Sequence, residues 1–294
     1  VIWCGVFSSD AFRVIKLAFK MNYSKKVGFI GAGKMAQALG LGIISSGTLQ
    51  PEDVLISAPT DTNFSPWKSA NVETTHENAR VVKECQYVFL AVKPQLMFEA
   101  LESIRQFTTS NNVLIPIASG LSIDYYSSKF QDARIIRVMP NTPCCVQSGV
   151  CAVSSGNNIT GNELAFLKNI LSCVGLVIEV KESQMDAVCA LAGSAPAFIF
   201  TAIDALSDGG VKMGLPRTIA SQIAAHVVQG AARLTLASGK PPSILKDDVC
   251  SPGGTTIFGV HELERLGFRN ALISAVESST MRGQAISKLF DSSH

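Results

Sequence analysis

The chain has 294 residues, with 25 Lys and Arg against 23 Asp and Glu and a formal net charge of +2. Hydrophobic residues make up 47% of the chain and charged residues 16%, which excludes a disordered protein and allows a large core. The balanced charge and the aromatic content of 7% disfavour nucleic acid as a partner. The length fits two domains, and no apolar run reaches the roughly 20 residues of a transmembrane helix, so we expect no membrane partner.

The first 24 residues are interpreted separately from the rest. Between residues 10 and 20, basic and apolar side chains would occupy separate stripes of a helix, a pattern typical of mitochondrial leaders. The favoured alternative is that this stretch is an upstream extension and that Met21 is the natural start. We therefore predict that residues 1–24 are a leader or a non-native extension. The expected location is cytoplasmic, or mitochondrial if the leader is native.

Eight cysteines and four histidines are scattered along the chain. The cysteines form no C-x-x-C pair, and none stands at zinc-ligand spacing from a histidine. We expect reduced, mostly buried thiols, as in proteins inside the cell, and no metal.

Short apolar runs alternate with helical segments from Val27 to about Val180. The predicted strands are Val27–Ile30, Val54–Ser57, Tyr87–Ala91, Val113–Ile117, Ile135–Met139 and Leu176–Val180. The helices predicted between them include Lys34–Ser46, Gln95–Phe107 and Asn162–Cys173. This alternation predicts a parallel sheet covered by helices on both faces.

After Lys181 the pattern predicts helices only. These are Gln184–Val211, Pro216–Ser238, Thr255–Leu266 and Arg269–Phe290. The expected fold class is α/β: a Rossmann-like dinucleotide-binding domain over residues 25–181, then an all-α domain over residues 182–294.

The segment Val27–Ala36 has the pattern of a strand, a G-x-G-x-x-A turn and a helix. Gly31 permits the tight turn, Gly33 lets the backbone approach a pyrophosphate, and Ala36 lets helix and strand pack closely. The helix N-terminus would then face the anion. Because the motif stands in this context, it indicates a dinucleotide site rather than a bare structural turn.

The end of the second predicted strand bears on the choice of dinucleotide. An NAD site usually places a carboxylate there to bond the ribose 2′-hydroxyl. Here the strand ends in Ser57, Ala58, Pro59 and Thr60, and Asp61 comes late. A 2′-phosphate would meet no repulsion, and Ser57 or Thr60 could donate to it. This favours NADPH, with NADH as the alternative, although no Arg stands nearby.

Three later loops should lie along the same sheet edge, because each follows a strand. Lys93 and Pro94 could form a wall of backbone and side chain beside the cofactor. Alternatively, Pro94 only marks the start of a helix. Asn141 and Thr142 could bond the nicotinamide amide, or serve turn chemistry alone. The loops are Ala91–Pro94, Ala118–Gly120 and Met139–Pro143.

The helical half contains a second candidate site. Residues Asp247–Thr256 are predicted to be a loop leading into a helix, whose first N–H groups could hold a substrate carboxylate. Thr255 and Thr256 add hydroxyl donors, and an ordinary helix cap is the alternative. The glycine-rich stretch Ala192–Phe198 interrupts an apolar helix. We interpret it either as a site that faces the cofactor or as a structural kink.

These motifs give the chain, over Lys25–Phe290, a resemblance to the pyrroline-5-carboxylate reductases. The resemblance implies reduction of L-1-pyrroline-5-carboxylate to L-proline, the last step of proline biosynthesis, by hydride transfer from NAD(P)H to a cyclic imine. It also implies a homo-oligomer with a dimer as its unit and a decamer as the larger ring. The family-like stretches are Gly28–Gly33, Phe89–Pro94, Met139–Pro143, Gly193–Pro196, Asp204–Arg217 and Leu245–Thr256.

The resemblance also implies roles for individual residues. Thr256 would contact the substrate ring nitrogen as the catalytic residue, and the loop before it would hold the carboxylate. The expected substrate-binding residues are Glu182, Asp247, Ser251, Gly253, Gly254, Thr255 and Thr256. The expected cofactor-binding residues are Ile30, Gly31, Ala32, Gly33, Lys34, Met35, Ser57, Ala58, Thr60, Asn78, Ala91, Val92, Lys93, Pro94, Ala118, Ser119 and Asn141.

Two positions depart from the family pattern. Ala195 stands where a glycine is expected, which would tighten the helix kink. Ala58 stands where some relatives have a hydroxyl near the 2′-phosphate, which weakens the inference about cofactor preference.

Two other functions fit parts of the sequence. A 3-hydroxyacid dehydrogenase would share the two-domain plan, but it needs a helix lysine for acid–base work, and Gln184–Phe200 contains none. A non-catalytic NADPH-binding sensor would keep Gly31 and Gly33 but would have no need of the Ser251–Thr256 loop.

Overall fold

The computed structural model describes residues 25–130 and 133–292, so the predicted leader lies outside the described residues. The strands are β1 Lys25–Ile30, β2 Val54–Ser57, β3 Glu73–Thr75, β4 Cys85–Leu90, β5 Val113–Pro116, β6 Arg134–Met139, β7 Gly149–Ser155 and β8 Gly175–Glu179. The α-helices are α1 Lys34–Ser45, α2 Ser65–Ser69, α3 Asn78–Glu84, α4 Met97–Ile104, α5 Ile123–Lys129, α6 Gly161–Ser172, α7 Met185–Val188, α8 Ala195–Lys212, α9 Arg217–Ser238, α10 Pro242–Val249, α11 Thr255–Arg265 and α12 Phe268–Ser292.

The chain forms two compact units, and the predicted fold class is confirmed. The first unit contains the described residues up to Ala118, together with Ile123–Arg137 and Ser155–Cys173. The second contains Ser119–Ser122, Val138–Ser154 and the chain from Val174 onward. Strands β7 and β8 therefore belong mainly to the second unit, together with helices α7 to α12. After Glu179 the described residues form no further strand.

The first unit is built around a parallel sheet with the strand order β3-β2-β1-β4-β5-β6. In the centre, Val27 lies opposite Val54 on β2 and Tyr87 on β4. Strands β1, β2, β4 and β5 are nearly continuous apolar runs because helices cover both faces of such a sheet. Phe29 is fully buried and stacks on Phe89 with ring centroids 4.6 Å apart.

A buried ion pair joins the edge of this sheet to helix α6. The guanidinium of Arg134 on β6 contacts the carboxylate of Glu163, whose side chain is 7% exposed. The same carboxylate accepts hydrogen bonds from the backbone N–H and the hydroxyl of Thr160, which in turn caps Glu163 N. This reciprocal arrangement is a capping box, and it fixes where α6 begins.

The second unit has a small core and a long helical part. Met139, Ala152 and Met185 are buried against each other, with Ile178 and Val188 packed around them. Strands β7 and β8 pair in parallel, from Gly149 opposite Gly175 to Val153 opposite Glu179. Helices α8 and α9 contact each other, and the small residues Ala220 and Ala224 of α9 are buried.

Helices α7 and α8 are joined by a π-helical turn over Cys189–Ser194. The helical stretch Glu182–Lys212 contains an 18-residue window with a mean hydropathy of 1.6, so by length and composition it could cross a membrane. This differs from the sequence prediction, which counted only unbroken apolar runs. Small residues such as Gly193 and Ser194 interrupt the run without making the stretch polar.

Several elements were not predicted from the sequence. Strand β3 has only three residues, all polar, so its pattern is too short to recognise. Strand β7 contains Cys151 and Ala152, which have no marked strand preference. Asp247 was predicted to lie in a loop, but it is in the last turn of α10, a helix that begins at Pro242 with Pro241 as its N-cap.

Candidate functional site

The turn after β1 is held in a conformation that only glycine adopts easily. Gly31 has φ +107°, and a Cβ added there would lie 2.7 Å from the carbonyl oxygen of Ala91. Its N–H donates to the carbonyl of Ser57, at 2.8 Å, and Ala91 N–H donates to the carbonyl of Ile30, at 2.8 Å. The turn is thereby fixed between the ends of β2 and β4.

Helix α1 begins directly after this turn and has an open N-terminus. Gly33 is its N-cap, no side chain caps the first turn, and no acidic residue lies in that turn. A Cβ added to Gly33 would meet nothing within 4 Å. No side chain therefore satisfies the first N–H groups of α1, an arrangement that suits an anion.

The residues around the turn are positioned by contacts inside the first unit. The carbonyl of Ala32 accepts from the side-chain amide of Gln37, at 2.9 Å, and from the indole of Trp67, at 3.4 Å. Lys34 is exposed and Met35 is half-buried, so both side chains are accessible.

Ser57 at the end of β2 is fully buried, and its hydroxyl does not face solvent. The hydroxyl donates to Oδ1 of Asn78 at 2.7 Å, and Nδ2 of Asn78 donates to the Ser103 hydroxyl at 2.9 Å. Ser57 therefore positions Asn78, the first residue of α3. The hydroxyl available at this strand end is that of Thr60, which is exposed and lies 3.1 Å from the Thr62 hydroxyl.

A charged cluster lies beside the end of β2, and the sequence did not reveal it. Nζ of Lys68 and Nε2 of His76 are each 3.6 Å from Oδ1 of Asp61. His76 directly follows β3, so recognising that short strand was the signal that would have placed the histidine here.

The loop after β4 is only partly buried. Ala91 and Val92 are half-buried, and exposed Lys93 occupies the N-cap position of the short 3-10 turn Pro94–Leu96 without a side-chain cap. After β5, Ala118 is buried in the first unit. The half-buried Ser119 is the first residue assigned to the second unit.

Asn141 is buried, and its side-chain amide is used within the second unit. Nδ2 donates to the carbonyl of Ala192 at 3.1 Å, and Oδ1 accepts from the N–H of Val150 at 2.8 Å. In an α-helix the Ala192 carbonyl would accept from the N–H of residue 196, but that residue is Pro196 and has none. The amide of Asn141 supplies the missing donor, so its main role here is to hold the π-helical turn against the loop after β6.

The Ser251–Thr256 segment leads into another helix whose N-terminus has no side-chain cap. Gly253 has φ +68°, Gly254 is the N-cap of α11, and no side chain caps the helix. Gly254 N–H donates to the Ser251 carbonyl at 3.1 Å, which closes the turn. Thr256 is half-buried and Thr255 is exposed in the first turn. Free N–H groups and two hydroxyls thus stand at one helix end.

The two acids expected near the substrate lie in different settings. Asp247 is exposed and pairs with Lys246, Nζ to Oδ1 3.0 Å, which raises the pKa of the lysine. Glu182 is half-buried in the short turn before α7. Within the described ranges, no three His, Cys, Asp or Glu side chains converge as they would around a metal ion.

Comparison with known proteins decides the family. A family model described as pyrroline-5-carboxylate reductase dimerisation matches residues 182–286, and one described as NADP oxidoreductase coenzyme F420-dependent matches residues 26–120. Pyrroline-5-carboxylate reductase 3 of Mus musculus is 39% identical over 92% of this chain and 100% of its own length. The chain belongs to the pyrroline-5-carboxylate reductase family.

Other members of this family agree over most of the chain. The pyrroline-5-carboxylate reductase of Arabidopsis thaliana is 40% identical over 90% of this chain and 96% of its own. The crystal structure of Plasmodium falciparum pyrroline carboxylate reductase with NADP bound covers 90% of this chain and 100% of its own, with a TM-score of 0.83 and 29% identity. The resemblance drawn from the motifs is therefore confirmed.

We predict that Asn141→Ala destabilises this reductase-family protein by about 1–3 kcal/mol, because two partly buried backbone groups lose their partner. Urea denaturation followed by circular dichroism measures the loss. Asn270→Ala, at an exposed position on α12, is the matched control and should change stability by less than about 0.5 kcal/mol. Equal stability of the two variants would show that the Asn141 bridge contributes nothing.

Proposed function

We propose that the protein reduces L-1-pyrroline-5-carboxylate to L-proline with NADPH as the preferred reductant. The observation that carries this proposal is the family match over about nine-tenths of the chain, with both open helix N-termini intact. In this proposal residues 25–181 bind the dinucleotide. Residues 182–294 bind the substrate and build the oligomer.

The residues present fit a dinucleotide. The space beside Gly33 and the uncapped start of α1 suit a pyrophosphate, and the half-buried backbone of Ala91 and Val92 suits a wall beside it. Ile30, Gly31 and Ala32 shape the turn. When bound, NADPH supplies the hydride that the imine carbon accepts.

The start of α11 supplies what the substrate needs. The substrate is a cyclic imine with a carboxylate, and the N–H groups of the first turn would hold that carboxylate, with the hydroxyls of Ser251 and Thr255 nearby. The hydroxyl of Thr256 would bond the ring nitrogen and steady it as the nitrogen becomes an amine. Orientation supplies much of the rate, because a protonated imine is already electrophilic and needs no strong acid.

The direct test is an assay with NADPH and pyrroline-5-carboxylate. We expect loss of NADPH absorbance with matching formation of proline. A folded protein, as judged by circular dichroism, that gives no proline would overturn the proposed function.

Gly33→Ala is predicted to separate folding from cofactor binding. The added methyl group meets nothing in the protein, so the melting temperature should hardly change. It would occupy the space of the pyrophosphate, so NADPH affinity should fall by about tenfold or more. Isothermal titration calorimetry measures the affinity. Gly161→Ala, which also meets open space, is the control and should bind NADPH like the wild type.

Thr256→Ala should lower kcat/KM by roughly a hundredfold while NADPH affinity stays within twofold, because the lost hydroxyl serves the substrate alone. Steady-state kinetics and calorimetry give the two quantities. Thr235→Ala on α9 is the matched control. A large loss of NADPH affinity in Thr256→Ala would instead place this helix end at the cofactor.

We also propose that a second copy of the chain, rather than lipid, covers the apolar side chains exposed on the helices. On α9, Ile219, Ile223 and Val227 recur every four residues and are each about half exposed, while Ala220 and Ala224 are buried. The family model that matches this part is one for dimerisation. The dimer would be the unit and a decamer the larger assembly.

Sedimentation velocity of the detergent-free protein tests this. We expect a species of twice the chain mass or larger at micromolar concentration, because a half-apolar helix face is stabilised by association. A stable monomer in solution would contradict the proposal, as would sedimentation of the protein only with added vesicles.

A cytoplasmic location stays part of the proposal. The described cysteines are free thiols, which fits a reducing compartment. Whether a mitochondrial address applies depends on residues 1–24.

A further inference from the structure

The charged cluster of Asp61, Lys68 and His76 lies where a Rossmann-like sheet meets the adenosine ribose of its dinucleotide. Strands β2 and β3 pair in parallel and end together, Ser57 opposite Thr75, and Ser57 also bonds the Gly31 turn. In such sheets the end of the second strand decides between a ribose 2′-hydroxyl and a 2′-phosphate. The side chains in this place therefore bear on the choice between NADH and NADPH.

The imidazole of His76 is held in one orientation by two contacts. Nδ1 donates to the carbonyl of Ala58 at 2.9 Å, since a carbonyl can only accept. The ring also packs against the buried Phe64, with centroids 5.3 Å apart. With its hydrogen on Nδ1, the neutral ring has an acceptor at Nε2, and the protonated ring has a donor there.

Lys68 extends from α2 towards the same point. Its Nζ lies 3.6 Å from the Asp61 oxygen that Nε2 of His76 also approaches, and 5.5 Å from the centre of the Phe64 ring. Two basic groups from different elements thus meet at one carboxylate oxygen. Both basic side chains are 57% exposed and Asp61 is 70% exposed, so a ligand can reach all three.

This arrangement differs from the one that selects NADH. There a carboxylate accepts from the ribose 2′-hydroxyl. Here the carboxylate of Asp61 is engaged by two basic groups, and the neighbouring Thr60 and Thr62 hydroxyls are exposed donors. A phosphate carries more charge than a carboxylate and has three acceptor oxygens, so it would compete with Asp61 for both partners.

We propose that Lys68 and His76 bind the 2′-phosphate of NADPH, and that Asp61 orients them before the cofactor arrives. This rests on the proposed function, because it assumes that the nucleotide binds along this sheet edge. It assigns cofactor selection to side chains beyond the glycine turn and beyond Ser57, whose hydroxyl is buried.

The test is calorimetric titration of the full chain and its variants with NADPH and, separately, with NADH. Lys68→Gln combined with His76→Gln should weaken NADPH binding about tenfold and leave NADH binding within twofold. Glutamine at residue 76 can keep the hydrogen bond to Ala58. Lys83→Gln is the matched control, since Lys83 is an exposed lysine of the same unit that lies over the Phe107 ring, 4.0 Å away. It should change neither affinity.

Asp61→Asn sharpens the result. If Lys68 and His76 bind the phosphate, removing a like charge beside it should strengthen NADPH binding by a few fold and leave NADH binding unchanged. If Asp61 instead binds the ribose hydroxyl, the variant should weaken NADH binding, which would overturn the proposal. Equal NADPH affinity of the wild type and the double variant would also overturn it.

The fragment pair 2′,5′-ADP and 5′-AMP isolates the phosphate itself. The wild type should bind 2′,5′-ADP more tightly, and the double variant should lose that difference. If the double variant loses NADPH binding selectively but the wild type gives no proline, the proposed reaction is refuted and this inference is supported. Selective NADPH binding that survives in the double variant would refute this inference while the reductase reaction stands.

Discussion

The constraint on which the site in the first unit depends is the close backbone approach of Gly31 to Ala91. A Cβ at residue 31 would lie 2.7 Å from the Ala91 carbonyl oxygen, so only glycine fits at this position. Because the turn also bonds Ser57, the ends of three parallel strands are fixed against each other. The start of α1 and the charged cluster beside β2 both take their places from this contact.

The same physical device occurs in both units. Helix α1 starts at Gly33 and helix α11 starts at Gly254, and in neither does a side chain cap the first turn. An uncapped N-terminus leaves N–H groups unpaired with the protein, which suits a phosphate in one case and a carboxylate in the other. A Ser or Asp at either cap would satisfy those groups internally and reduce what they can offer a ligand.

Local sequence patterns could predict the features that depend on neighbouring residues in the chain, namely strands, helices and the glycine turn. Strand β2 was predicted with its observed bounds, and β1 and β6 began within two residues of the prediction, because buried parallel strands are continuous apolar runs. The glycine turn was recognised by the spacing of Gly31, Gly33 and Ala36 between a strand and a helix. Helices α9, α11 and α12 were also placed within one residue of their observed starts.

What the sequence could not show depends on partners far apart in the chain. The buried hydroxyl of Ser57 is used by a hydrogen bond to Asn78, 21 residues away. The hydrogen bond from Asn141 to the Ala192 carbonyl is explained by the missing N–H of Pro196. The meeting of Lys68 and His76 at Asp61 required β3, whose three polar residues carry no strand pattern. Such juxtapositions appear only when the whole sheet is assembled.

The central claim, hydride transfer to a cyclic imine, is tested most directly by following the hydrogen itself. Incubation with pyrroline-5-carboxylate and NADPH deuterated at the transferred position of the nicotinamide, followed by mass spectrometry of the proline, reports where that hydrogen goes. The account predicts proline that is one mass unit heavier, with the deuterium on the former imine carbon. Proline without deuterium, or no proline from a folded protein that binds NADPH, would contradict it.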